Sequence, residues 1–103
     1  MKVSIGKYKK DGTRRTKVEI SKDDIFSLDY TLTLVILPCL KAYREENRGC
    51  PAYILPEKWD EIIDKMIKSF EMKIDDCGYT IDEDEEMQEG FELFGKWYQH
   101  LWI

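Results

Sequence analysis

Apolar and polar positions change period along this chain, and each change marks a predicted element. Over the first twenty residues they alternate. Val3, Ile5, Val18 and Ile20 fall on one face if Asp11-Gly12 makes a two-residue turn, the strongest short hairpin signal. That register sets Ile5 opposite Val18, Val3 opposite Ile20, Lys9 opposite Arg14 and Tyr8 opposite Arg15. Like charges then face each other at the tip, which is unfavourable.

From Leu28 the period becomes helical. Leu28, Leu32, Val35, Ile36, Cys39 and Tyr43 trace one stripe, widened by Leu34, Leu37 and Leu40. Ser21 and Ser27 are both candidate N-caps. Pro38 falls inside the pattern and removes a backbone donor, so a kink is expected there. Residues 47–56 read as a loop ending at Pro56, a residue suited to the first turn of a helix.

The second helical stripe is Trp59, Ile62, Ile63, Met66, Ile67, Phe70 and Ile74. Glu61–Lys65 and Asp64–Lys68 are expected as pairs along its exposed face. Gly78 is the expected left-handed cap. The run IDEDEEMQEG opens the last helix with its carboxylates at the positive end of the dipole. Met87, Phe91, Phe94, Tyr98 and Leu101 form its inward stripe, with Gly95 set for a close helix contact. Gly90, Leu93 and Trp97 form a second stripe beside the first. Trp97 and Trp102 are left as surface aromatics on which a partner docks.

The 103 residues make a single domain, with 43% apolar residues enough for one core. Charge sharpens this. Residues 1–22 carry eight basic and two acidic side chains, a net of +6, and residues 23–103 carry −11. The chain divides into a basic hairpin (1–22) and an acidic helical core (23–103). Lys7, Tyr8, Lys9, Lys10, Arg14 and Arg15 are the candidate partner-binding residues of the hairpin. Such asymmetry points to charged partners or to mutual docking.

Catalytic and metal chemistry find little to stand on. Cys39, Cys50 and Cys77 lack CxxC spacing and the one histidine, His100, has no ligand company, so no metal and no cofactor is expected. Free thiols in a reducing compartment are the plain reading, and a Cys50–Cys77 bridge the alternative. The acidic loop DDCGYTIDEDEE misplaces the glycine that a calcium loop needs. Asp29, Lys41, Asp64, Glu71 and Lys96 are expected to form a structural polar network. Acid–base catalysis by Asp64, Glu71 and Lys96 is the competing use. No apolar run of 18 residues occurs, so no membrane association is expected.

The segments SLDYTLTLVILPCLKAYRE, EKWDEIIDKMIKSFE and MQEGFELFGKWYQHLW resemble a family of small uncharacterised proteins of tailed bacteriophages. The likeness rests on an S-x-D-x-T-L start (Ser27, Asp29, Thr31, Leu32) and an I-L-P-x-L-K middle (Ile36, Leu37, Pro38, Leu40, Lys41). Gly49 and Pro51 match the loop, and Trp59, Asp60, Asp64, Met66, Phe70 and Glu71 the following helix. The ending matches at Gln88, Gly90, Leu93, Phe94, Gly95, Lys96, Tyr98, Leu101 and Trp102. Trp97 is one residue more than the family pattern holds, and the loop after the first helix is shorter than in some members. The resemblance covers about three quarters of the chain. It implies a phage origin and a helical core, and it transfers no catalytic residues.

The expectation is therefore an α+β fold, an N-terminal β-hairpin followed by a three-helix bundle-like core whose first helix is kinked at Pro38. The expected function is that of a non-enzymatic phage accessory protein in the cytoplasm of the infected host. It binds a host or phage protein, inhibition of a defence system being one form of this. A nucleic-acid-binding module using the basic hairpin is the alternative, and a homo-oligomer is compatible with either.

Overall fold

The structure, a computed structural model, describes residues 1–46, 49–76 and 78–102. It is α+β: a two-stranded antiparallel hairpin precedes four helices, β1 (Lys2–Tyr8), β2 (Arg14–Glu19), α1 (Lys22–Phe26), α2 (Leu28–Glu45), α3 (Pro56–Ile74) and α4 (Ile81–Trp97). A short 3-10 turn, Tyr98–His100, follows α4. The chain divides into two compact units, Met1–Thr31 and Leu32–Ile103.

In the first unit the hairpin register differs from the expected one. Val3 pairs with Val18 and Ile5 with Thr16, whereas Tyr8 pairs with Arg14. Two facts account for the difference. The Lys9 carbonyl accepts from the Gly12 amide at 3.0 Å and the Lys9 amide donates to the Thr13 carbonyl at 2.8 Å. Of the turn residues, only Gly12 has positive φ, +84°. The loop is thus three residues, Lys10–Gly12, with glycine in the left-handed position, not the two-residue turn that needs two such residues. The remaining mismatch is absorbed between Ile5 and Tyr8, where Gly6 and Lys7 together oppose Arg15 as a β-bulge. Arg14 Nε donates to the Gly6 carbonyl at 2.6 Å, and the Arg14 guanidinium carbon sits 4.9 Å from the Tyr8 ring centroid. The expected Lys9–Arg14 repulsion is replaced by a cation–π contact.

After the hairpin, the Asp24 carboxylate accepts from the Ser21 amide at 2.8 Å and from its hydroxyl at 3.1 Å. It also accepts from the Met1 ammonium at 3.0 Å. The backbone bond from Ser21 and that ammonium hold the Asp24 carboxyl below its ordinary pKa.

In the second unit, α2 continues unbroken through Pro38. On α3 the expected stripe is buried from Trp59 through Ile62, Ile63 and Met66 to Phe70, joined by Ser69 and Met72. Pro56 occupies the first turn. The Thr80 hydroxyl accepts from the Glu83 amide at 3.1 Å to start α4. Leu40, Trp59, Ile63, Met66, Phe70 and Trp97 lie in one core, with Phe91, Phe94 and Leu101 half-buried against it.

Three expectations for α4 and its neighbours are corrected. Tyr98 does not point inward; it is 62% exposed, and Trp97 takes the core position at 8%. The close-contact glycine is Gly90, not Gly95. A side chain on Gly90 would run into Ser69 Oγ and lie 2.5 Å from the Lys65 carbonyl oxygen, while nothing stands within 4 Å of Gly95. Docking of the α4 backbone on α3 at Gly90 goes with Trp97 inside the core, while Phe91, Phe94 and Leu101 of the expected stripe pack half-buried against it beside Leu93. The left-handed residue that follows α3 is Asp76, φ +55°, ahead of Gly78 at +108°.

Candidate functional site

Between α3 and α4 lies a groove that holds about 400 Å³ and has Ile62, Leu93 and Trp97 in its lining, with Lys58, Lys65 and Lys96 among the polar residues. Lys58 pairs with Glu61 at 3.4 Å and Lys65 with Glu89 at 2.8 Å. The pairs expected along α3 itself are therefore exchanged for others, one of them bridging two helices. The Glu89 hydrogen bond raises the Lys65 pKa. Lys96 differs: among the described residues it has no carboxylate partner, and its Nζ lies 5.2 Å from the Trp97 ring centroid.

Trp97 is the hub of an aromatic cluster. It meets Trp59 edge-on at 5.8 Å, His100 at 5.4 Å and Tyr53 at 6.1 Å between ring centroids. Tyr53 is 73% exposed and forms the lip of the groove. Among the described residues the buried Trp59 indole N–H has no acceptor. Sequence reasoning missed Tyr53. Its signal was an aromatic residue between Pro51 and Ile54, in a segment taken only as a loop.

The other predicted residues are dispersed. Asp64 and Glu71 do not share a partner. Arg44 Nε donates to Asp64 at 2.9 Å and Arg44 also approaches Asp60 at 3.6 Å, while Lys41 approaches Glu71 at 3.6 Å. The Asp64 hydrogen bond raises the Arg44 pKa. Asp29 stands in the first turn of α2, and Lys96 belongs to the groove. Asp64 and Glu71 thus stand in separate ion pairs, and Arg44, the cation of Asp64, is a residue that sequence reasoning missed. It was legible: Asp60 and Asp64 are four apart on α3, one guanidinium's reach on a neighbouring helix.

Trp97, paired with Trp102 as a surface aromatic from sequence, is buried; Trp102 is 69% exposed. His100 packs edge-on to Tyr53 at 6.5 Å and lines a cleft of about 40 Å³ with Cys50. Cys50 Sγ donates to the Ile54 carbonyl at 3.3 Å. Cys39 and Cys50 are free thiols; the alternative bridge from Cys50 ends at Cys77, outside the described residues. Among the described residues no cluster of metal-ligating side chains occurs and no helix is long and apolar enough to cross a membrane. Lys7, Tyr8, Lys9, Lys10, Arg14 and Arg15 all lie on the hairpin and its turn, exposed.

No protein-family model, curated protein or solved structure matches the chain.

Proposed function

We propose that this chain is a non-enzymatic phage accessory protein that acts by binding a protein of the host or of the phage, inside the infected cell. The observation that carries the reading is the α3–α4 groove: Ile62, Leu93 and Trp97 in a lining shared with charged residues, an exposed aromatic lip at Tyr53, and at Lys96 a cation without a carboxylate among the described residues. Concave apolar sites with few polar groups are the usual places for recognition, and exposed aromatics beside a desolvated floor are the usual anchors. The occupant that fits is a partner segment placing an aliphatic or aromatic side chain over Leu93 and Trp97 and a carboxylate at Lys96. Inhibition of a host defence protein is one outcome of such binding. The same reading takes α2, α3 and α4 as a bundle-like core bent at Pro38. Leu40 of α2 sharing that core with Trp59 and Trp97 supports it.

The test is capture from bacterial host lysate on immobilised protein, in parallel with Tyr53→Ala and Lys96→Glu. A protein retained by the native chain and lost with both variants supports the proposal. Capture that is the same on all three, or absent from all, overturns it.

A further inference from the structure

The bulge at Gly6–Lys7 changes which side chains share a face of the hairpin. In a regular ribbon alternate residues point the same way, so Val3 and Ile5 would share their face with Lys7 and Lys9. The bulge resets that alternation. Because Val3 pairs with Val18, Ile5 with Thr16 and Tyr8 with Arg14, these six side chains occupy one face. Lys2 and Glu19 face each other on the opposite side, as do Ser4 and Lys17. Lys7 joins Arg15 there, with Lys9 two residues on. A Cβ on Gly6 would lie 3.6 Å from Arg15 Cβ, which places the bulge on the Arg15 side. One face is therefore apolar apart from the Arg14 guanidinium held over Tyr8. The other carries Lys2, Lys7, Lys9, Arg15 and Lys17 against the single carboxylate of Glu19. Glu19 is engaged by Lys17 at 3.3 Å, and within this unit the other four cations have no carboxylate partner.

We propose that the cationic face of this hairpin binds the phosphate backbone of nucleic acid. The ribbon geometry favours this over an acidic protein surface. Lys7 and Lys9 on one side of the ribbon and Arg15 and Lys17 on the other are alternate residues, which repeat at about 6.6–6.8 Å in a strand, and the B-DNA major groove is wide enough to admit a two-stranded β-ribbon. Tyr8 takes no part, because its ring is on the other face beneath Arg14. Contacts from this face are to phosphate and carry no base sequence information. The site belongs to the first unit and shares no residue with the α3–α4 groove.

The experiment is fluorescence anisotropy of the full chain with a labelled DNA duplex of random sequence, and with its single strand, across a salt series. With four to five phosphates neutralised, affinity for the duplex falls by a factor of about 10²–10³ between about 50 and about 200 mM salt. Arg15→Gln reduces the logarithmic salt slope by about one. Lys22→Gln makes the same charge change in α1 and leaves the slope unaltered. The double change Lys7→Glu/Arg15→Glu abolishes binding while circular dichroism keeps the helical signal. Absence of binding at low salt overturns the proposal, as does equal loss with Lys22→Gln. Polyglutamate that binds the chain as tightly as the duplex also overturns it, and would assign the face to acidic protein instead. Stronger binding of single strand than duplex would retain the phosphate contact and refute the groove-inserted ribbon.

Discussion

Gly90 of α4 is seated against Ser69 of α3 so closely that a methyl group on Gly90 has no place to go. Ser69 is fully buried, and its hydroxyl donates to the Glu86 carbonyl one turn earlier on α4 at 3.3 Å. Gly90→Ala must therefore push the helices apart, at a cost of about 1–3 kcal/mol, as overpacking does. Gly95→Ala meets open space and gains about 1 kcal/mol from helix propensity. Urea unfolding of both variants checks the contrast. Equal effects would mean that the helices do not meet at Gly90.

The aromatic end of the chain divides sharply in its energetics. Trp97→Ala empties a core position contacted by Trp59, Tyr53 and His100, and costs about 3–5 kcal/mol. Trp102→Ala, on an exposed ring, changes stability by no more than about 0.5 kcal/mol. Thermal denaturation of the two variants measures the difference. Comparable losses would place both rings in the core.

Two carboxyls of the hairpin unit carry an acid dependence. The Asp24 carboxyl is lowered by the Ser21 amide and the terminal ammonium, and that of Asp11 by the Thr13 hydroxyl and amide. A depressed native pKa contributes stability that is present above the unfolded value and lost as pH falls through the native one. Carbon-detected NMR titration should find both carboxyls still ionised below the ordinary aspartate range. Asp24→Asn should remove the acid dependence attributable to that residue.

Arg44 joins α2 to α3 through two carboxylates, Asp60 and Asp64, yet all three side chains keep contact with water. Exposed pairs of this kind contribute at most about 1 kcal/mol. Arg44→Gln should therefore be mild, and milder still at high salt. A loss above about 2 kcal/mol in chemical denaturation would show that the pair is shielded from solvent.

Much of this architecture was legible in the sequence. The α3 stripe is a clean period of 3.6, and Pro56 and Thr80 open their helices as local chemistry predicts. Three features resisted, each for its own reason. Asp11-Gly12 suggested a two-residue turn, but a three-residue loop with Gly12 in the left-handed position suits the same dipeptide. Of the two adjacent stripes of α4 the sequence favoured the one that includes Tyr98, and the remote contact of Gly90 with Ser69 goes with Trp97 inward and Tyr98 out. The groove could not be seen because its lip, Tyr53, belongs to no periodic element. The ion pairs were half legible: sequence located the carboxylates, while the reach of Arg44 across helices was not a property of either helix alone.

The Tyr43 hydroxyl on α2 donates to the Trp102 carbonyl at 3.0 Å and to that of His100 at 3.4 Å. It grips the end of the chain by peptide oxygens, which every amino acid has. Identity at position 102 is thereby uncoupled from architecture: substitutions there leave the clasp intact and alter only what the exposed side chain presents.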